Sequence, residues 1–149
     1  MGILMNKKGN TAKYLSYKEA WRRINAAIEG GYYFEAVAIQ ESVISDRLGS
    51  YLHGVGKSSN IRNFSRLITA WRASLEKPIS YKEGADLSKD VDAWRVQRNN
   101  IIHGLVKSDP GEPTQKVDDF LEMAKLAAEE GAVLARAVCD WHKSVVRRK

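Results

Sequence analysis

The sequence predicts an all-α protein, built as an antiparallel bundle of about five helices. Apolar residues recur at three- and four-residue spacing along most of the chain, and no segment alternates apolar and polar residues between hairpin turns. The 149 residues are 44% hydrophobic and 28% charged, which is typical of a globular domain with one core. We therefore expect a single helical domain over residues 1–149, in which residues 1–15 form a flexible basic segment.

The first two helices are predicted from apolar stripes and from the glycine pair between them. The first is expected to begin after Ser16 and to end at Gly30–Gly31, because glycine readily adopts the conformation that ends a helix. The second is expected over about Tyr32 to His53. The apolar members of its stripe are Phe34, Val37, Ile44, Leu48 and Leu52. An acid, Glu41, interrupts this stripe.

Three further helices follow from the same pattern and from its stop signals. The third is expected from a cap at Asn60 to a stop at Pro78. The fourth begins at Ser88 and ends before the turn-forming Ser108–Gly111. The fifth extends from about Pro113 to Lys143, and Gly131 in its middle predicts either a bend or a protruding end.

The positive charge is concentrated in two blocks. The net charge is +6; residues 1–23 carry six positive charges and one negative, and residues 57–107 carry ten and five. Such blocks favour a polyanionic partner, because lysine and arginine that neutralise phosphates release counterions. A generically basic protein is the alternative. The candidates for contacting RNA are Lys57, Arg62, Arg66, Arg95 and Lys107.

Several other classes of protein are disfavoured. The single cysteine, Cys139, cannot form an internal disulfide, and no apolar stretch is long enough to cross a membrane, so we expect a cytoplasmic protein without membrane association. Gly56-Lys57-Ser58 resembles the end of a phosphate-binding loop, but Tyr51 occupies the position of its leading glycine. The histidines and Cys139 lack the paired spacing of metal ligands, so neither a metal nor another cofactor is expected.

The fourth predicted helix contains a charge on its apolar face. Arg98 lies near the centre of a stripe formed by Val91, Trp94, Ile101, Ile102 and Leu105. An arginine there needs a carboxylate, a phosphate or another polar partner, since an unpaired buried charge costs several kcal/mol or more. Glu41 interrupts the stripe of the second helix in the same way, and the two residues are expected to pair.

The residues around Arg98 form a compact polar motif. Asn99 and His103 are four apart and share a helix face, whereas Arg98 and His103 diverge by about 140°. One straight helix would not bring all three onto a small target, but two copies facing each other across a twofold axis could. This geometry suggests a homodimer. The alternative is an arginine paired with a core acid and a histidine that stabilises the helix C-terminus.

Arg98, the polar Asn99 directly after it, and His103 after four intervening residues resemble the R-x4-6-H motif of HEPN domains. The resemblance, which extends to the helix order over about residues 16–145, implies a HEPN-like bundle. HEPN proteins are commonly metal-independent endoribonucleases of toxin–antitoxin, antiviral and RNA-processing systems, with an active site at a dimer interface. The resemblance implies that Arg98 and His103 are catalytic and that Asn99 assists them. Glu41, through its expected pairing with Arg98, and Asn100 are expected to support the site.

The resemblance also implies partners: an RNA substrate, a second copy of the chain and, in toxin systems, a neutralising antitoxin. In HEPN toxins paired with a nucleotidyltransferase antitoxin, a modified tyrosine lies two positions after the histidine. Leu105 occupies that position here, so the tyrosine that this mechanism of neutralisation modifies is not at the expected position.

Cleavage of RNA without a metal requires groups that these residues possess. Attack by a ribose 2′-OH on its neighbouring phosphate needs a base and an acid near neutral pKa and a cation for the developing charge. His103 suits the proton transfers, and Arg98 suits the charge because its guanidinium stays protonated. The competing interpretation is a non-catalytic HEPN-like helical module that binds RNA or a protein partner, with Arg98 serving only as a core ion pair.

Overall fold

The computed structural model describes residues 2–57, 61–113 and 116–147, and its regular secondary structure is entirely helical. The five helices are α1 (Gly2–Gly30), α2 (Tyr33–Gly54), α3 (Phe64–Ser74), α4 (Leu87–Gly104) and α5 (Val117–Arg147). They pack against one another as a bundle. The prediction of an all-α helical bundle is therefore confirmed.

The helix directions are not all antiparallel. Helices α1 and α2, α3 and α4, and α4 and α5 run antiparallel to each other. The most extensive contact joins α2 to α5, and these two helices run parallel. Phe34 packs on Phe120 near their N-terminal ends, with ring centroids 5.7 Å apart, and Tyr51 packs on Trp141 near their C-terminal ends, at 4.8 Å.

The core is one continuous cluster of side chains from all five helices. Its largest fully buried members are Trp71, Trp94 and Phe120. Trp94 also donates a hydrogen bond from Nε1 to the carbonyl oxygen of Ala127, at 2.9 Å. The indole therefore fixes α4 on α5 as well as filling the core.

The predicted start of α1 at Ser16 was wrong, because the helix begins at Gly2 and includes the segment expected to be flexible. Polar contacts hold part of this extension. Lys13 Nζ lies 2.6 Å from Asp46 Oδ1 on α2, and the Tyr17 hydroxyl donates to Asp46 Oδ2 at 2.5 Å. An apolar stripe cannot reveal a helix docked in this way.

The other boundaries lie close to the predicted ones. Asn60, the expected cap of α3, lies outside the described residues; the cap is Asn63, whose side chain accepts a hydrogen bond from the backbone N–H of Arg66 at 3.1 Å. Helix α4 begins one residue before the predicted Ser88. The turn at Asp109–Glu112 forms as expected.

Helix α5 continues through Gly131 without interruption and is about 46 Å long. A β-carbon at Gly131 would lie 2.0 Å from Gln40 Oε1 and 2.8 Å from Trp94 Cζ2. The fully buried Gln40 donates from Nε2 to the carbonyl oxygen of Ala128 at 2.7 Å. Gly131 is thus the point where side chains from α2 and α4 meet the backbone of α5.

The predicted apolar stripe of α4 was wrong at its C-terminal end. Ile101 is fully buried, but Ile102 and Leu105 are 44% and 41% exposed, and Val106 is 82% exposed. The helix ends at Gly104, so the chain leaves the core at this point. The result is a cluster of exposed apolar side chains beside the polar motif.

Candidate functional site

The candidate site lies in the C-terminal half of α4. Two contacts hold this half-helix against the bundle: Trp94 is bonded to the backbone of α5, and Gly104 lies against the Phe120 ring, so closely that an added β-carbon would be 3.3 Å from the ring. The helix therefore presents its polar residues from a rigid support. Preorganised support of this kind is what a binding or catalytic site requires.

Arg98 forms the ion pair that the two interrupted stripes predict. Its Nη2 contacts Glu41 Oε1 of α2, and its guanidinium carbon lies 5.7 Å from the centroid of the Phe64 ring of α3. The Arg98 side chain is 16% exposed. Among the described residues, its buried Nε has no hydrogen-bond acceptor, so Glu41 satisfies only part of the donor set of the guanidinium.

His103 lies in a different environment, in an open groove at the end of α4. The groove is lined by Asn99, Asn100, His103, Gly104, Lys107 and the segment 108–110. His103, Asn100 and Lys107 are exposed, and Asn99 is half-buried. The structure thus brings an imidazole, two amides and an ammonium group together at one solvent-accessible place.

Arg98 does not line this groove. The separation follows from the helix itself, because residues five apart point in directions that differ by about 140°. Within one chain, the guanidinium and the imidazole therefore belong to two adjacent environments. The Arg98 environment is formed by α2, α3 and α4, and the His103 environment by the end of α4 and the turn that follows it.

The predicted RNA-binding cations do not form one patch around His103. Lys107 is the one that lines the groove. Lys57, Arg62 and Arg66 are exposed elsewhere, after α2 and at the start of α3. Arg95 is engaged by Asp92, with 3.1 Å between Nε and Oδ1, which makes it the least available of the five.

Phe64 is the member of the Arg98 environment that the sequence analysis missed as a site residue. Phe64 is a buried apolar residue at the start of α3. Its ring also faces the guanidinium, a geometry that favours the charged side chain. A helical wheel carries no information about contacts between helices, so the sequence held no signal for this second role.

The remaining histidines do not extend the site. His142 is buried on α5, where Nδ1 lies 3.4 Å from Arg47 Nη1. Burial, and secondarily the Arg47 cation, lower its pKa below the ordinary value. His53 is exposed in the last turn of α2. The described residues contain no group of three histidine, cysteine, aspartate or glutamate side chains placed to hold a metal ion.

Among the described helices, none combines the length and the apolar character needed to span a membrane. No protein-family model matches the chain, and neither a curated protein nor a solved structure matches it.

Proposed function

We propose that this protein is a metal-independent endoribonuclease of the HEPN type, with its active site at the C-terminal end of α4. The observation that carries the proposal is the exposed His103 in a groove with Asn99, Asn100 and Lys107, five residues along α4 from the ion-paired Arg98. The motif resemblance suggests a role in a toxin, defence or RNA-processing system. In a toxin system, a neutralising protein would be a further partner.

In the proposed reaction, the ribose 2′-oxygen attacks the adjacent phosphorus and the bond to the 5′-oxygen breaks. One His103 imidazole removes the 2′-OH proton and then donates it to the leaving 5′-oxygen. Arg98 and Lys107 stabilise the negative charge that develops on the phosphate. Glu41 orients Arg98. The products are a 2′,3′-cyclic phosphate and a 5′-hydroxyl, and DNA resists because it lacks the attacking group.

A homodimer supports this chemistry because it supplies two motifs to one cleft. Twofold symmetry places the same surface of each chain against its copy. Ile102, Leu105 and Val106 flank His103 and are exposed, and such apolar side chains stabilise an interface when buried. A dimer through this surface would bring the Arg98 and His103 environments of two chains together.

The second candidate function is a non-catalytic module that binds RNA or a protein partner. The observation that favours it is the position of Arg98, which is largely buried against Glu41 and Phe64 and does not line the His103 groove. In that case Arg98 would hold α2, α3 and α4 together, and the His103 groove would bind RNA or a protein partner without cleaving RNA.

Incubation of the purified protein with mixed single-stranded RNA in EDTA distinguishes the two functions. We expect cleavage, with 2′,3′-cyclic phosphate or 3′-phosphate ends, because the proposed chemistry depends on an imidazole. Single-stranded DNA of the same sequence is the control and should remain intact. Cleavage that requires Mg²⁺, or that leaves 5′-phosphate ends, would contradict the mechanism. Binding without cleavage would favour the non-catalytic module.

We expect the active species to be a dimer. Sedimentation at micromolar concentration should give twice the 16.7 kDa mass of the chain. Val106→Glu should dissociate the dimer and remove activity, because it places a charge in the apolar cluster beside His103. Val146→Glu is the matched control at another exposed valine and should leave both the dimer and the cleavage activity unchanged.

The composite site is also tested by mixing two inactive variants. Mixed Arg98→Ala and His103→Ala proteins should recover activity, since their heterodimer retains one Arg98 and one His103. A monomer that cleaves RNA would refute the composite site.

A further inference from the structure

A second concentration of cations and aromatic rings lies on the opposite part of the bundle, between α1 and α5. This α1–α5 groove is a cavity of about 500 Å³, lined chiefly by Lys13, Tyr14, Lys18, Trp21, Arg136 and Lys143. Within the described part of the chain, the backbones of α1 and α4 do not approach each other. Along α5, Asp140 in this groove and Phe120 beside the end of α4 are about 30 Å apart. The groove is thus separate from the His103 site.

We propose that the α1–α5 groove binds single-stranded RNA, with phosphates held by Lys18 and Lys143 and a base stacked on Tyr14. This binding does not require the cleavage proposed above. Non-sequence-specific single-strand sites combine a cationic groove for the backbone with aromatic side chains on which bases stack. The α1–α5 groove contains both elements on two packed helices.

The charge of the groove is strongly positive. Lys13, Lys18, Arg47, Arg136 and Lys143 line it, against one acid, Asp140. Lys18 and Lys143 are exposed, and neither forms a salt bridge within the described part of the chain. These two ammonium groups are therefore available for phosphate, whereas Lys13 is paired with Asp46 on α2.

The aromatic residues of the groove differ in availability. Tyr14 is 64% exposed on the rim, so one face of its ring can receive a base. Trp21 is half-buried, and the Arg136 guanidinium lies 4.1 Å from its ring centroid. This arrangement keeps Arg136 over the groove. Stacking of a base on tyrosine tolerates any sequence, because every base has a flat π-face.

The floor of the groove is fixed by polar contacts that leave its rim free. The Arg47 guanidinium lies 4.6 Å from the Tyr17 ring centroid, and its Nη2 donates to Asp46 at 2.7 Å. Burial, together with the hydrogen bond to Asp46, raises the pKa of Tyr17 above its ordinary value. The Tyr17 hydroxyl therefore stays protonated and adds no negative charge to the floor, and the Asp46 carboxylate there is paired with Lys13 and Arg47.

The test measures binding by the full-length His103→Ala protein, so that cleavage does not interfere. The probe is a fluorescein-labelled 12-nucleotide polyuridine RNA, and fluorescence anisotropy is recorded at several NaCl concentrations. We expect Lys18→Ala/Lys143→Ala to weaken binding about tenfold and to reduce the slope of log Kd against log salt by about 1.4, which corresponds to two lost phosphate contacts on a single strand. Lys89→Ala/Lys125→Ala, which removes two exposed lysines from other surfaces, is the control and should retain affinity.

The stacking partner is tested separately. Tyr14→Ser should weaken binding at least fivefold, because it removes the ring, and Tyr14→Phe should bind like the parent protein because it keeps the ring. Tyr14, Lys18 and Lys143 are exposed, so their variants should unfold at the same temperature as the parent protein.

Three results would overturn the proposal: equal loss in the control lysine variant, equal affinity for a 12-base-pair RNA duplex, or displacement of the probe by polyglutamate as efficiently as by unlabelled RNA. Absence of catalysis in the wild type would leave this binding measurement intact, so the two proposals fail separately.

Discussion

His103→Ala is expected to reduce RNA cleavage by about 10²- to 10⁴-fold, the usual contribution of a positioned general acid or base. The same change should leave the free energy of unfolding within about 0.5 kcal/mol of the wild type, because the side chain is exposed at the end of α4. A rate assay on a labelled RNA and a urea melt of the same protein samples measure the two quantities.

The matched control is His53→Ala. His53 is also exposed in the last turn of a helix, but at the end of α2. The His53→Ala variant should cleave RNA at the wild-type rate. This result would distinguish the loss of a catalytic imidazole from the general effect of removing a surface histidine. Full activity in His103→Ala, or equal losses in both variants, would show that His103 does not move the proton.

Gly131→Ala is expected to lower the free energy of unfolding by about 3 kcal/mol, at the upper end of the usual cost of overpacking. The new β-carbon would lie 2.0 Å from Gln40 Oε1, 2.7 Å from Gln40 Cδ and 2.8 Å from Trp94 Cζ2. Both neighbours are fully buried, and each is hydrogen-bonded to the backbone of α5. Neither can move away without breaking that bond. Urea denaturation monitored by circular dichroism measures the free energy of unfolding of the variant and of the wild type.

Gly49→Ala provides the opposite expectation at another helical glycine. Nothing lies within 4 Å of an added β-carbon there, and Gly49 is in the interior of α2. Alanine should therefore stabilise the protein by up to about 1 kcal/mol, because glycine loses more backbone entropy on folding. If Gly131→Ala unfolded at the wild-type urea concentration, the contact of α5 with Gln40 and Trp94 would be looser than the structure indicates.

The sequence could predict the Arg98–Glu41 pair because both charges interrupt regular apolar stripes. Periodicity identifies such residues without knowledge of the helix packing. It could also predict the turns at Gly31 and Gly111, where the backbone φ angles are +81° and +88°. These features are local, or they are repeated along one helix, and so they are encoded in short stretches of sequence.

Contacts between distant surface residues could not be predicted in this way. In the part of α1 that precedes Ser16, Lys13 contacts Asp46 of α2, and this pairing has no periodic signature. The exposure of Leu105 depends on where α4 leaves the bundle. The α1–α5 groove joins residues from the two ends of the chain, and only the fold reveals that their charges and rings share one surface.

The parallel pairing of α2 with α5 governs the order in which this chain can fold. About 60 residues separate the two helices in sequence, so their contact carries a large cost of loop closure and is slow to form compared with the hairpin of α1 and α2. During synthesis, α5 leaves the ribosome after α2 and α4. The faces of α2 and α4 that α5 covers therefore remain exposed to water and to chaperones until α5 has been synthesised.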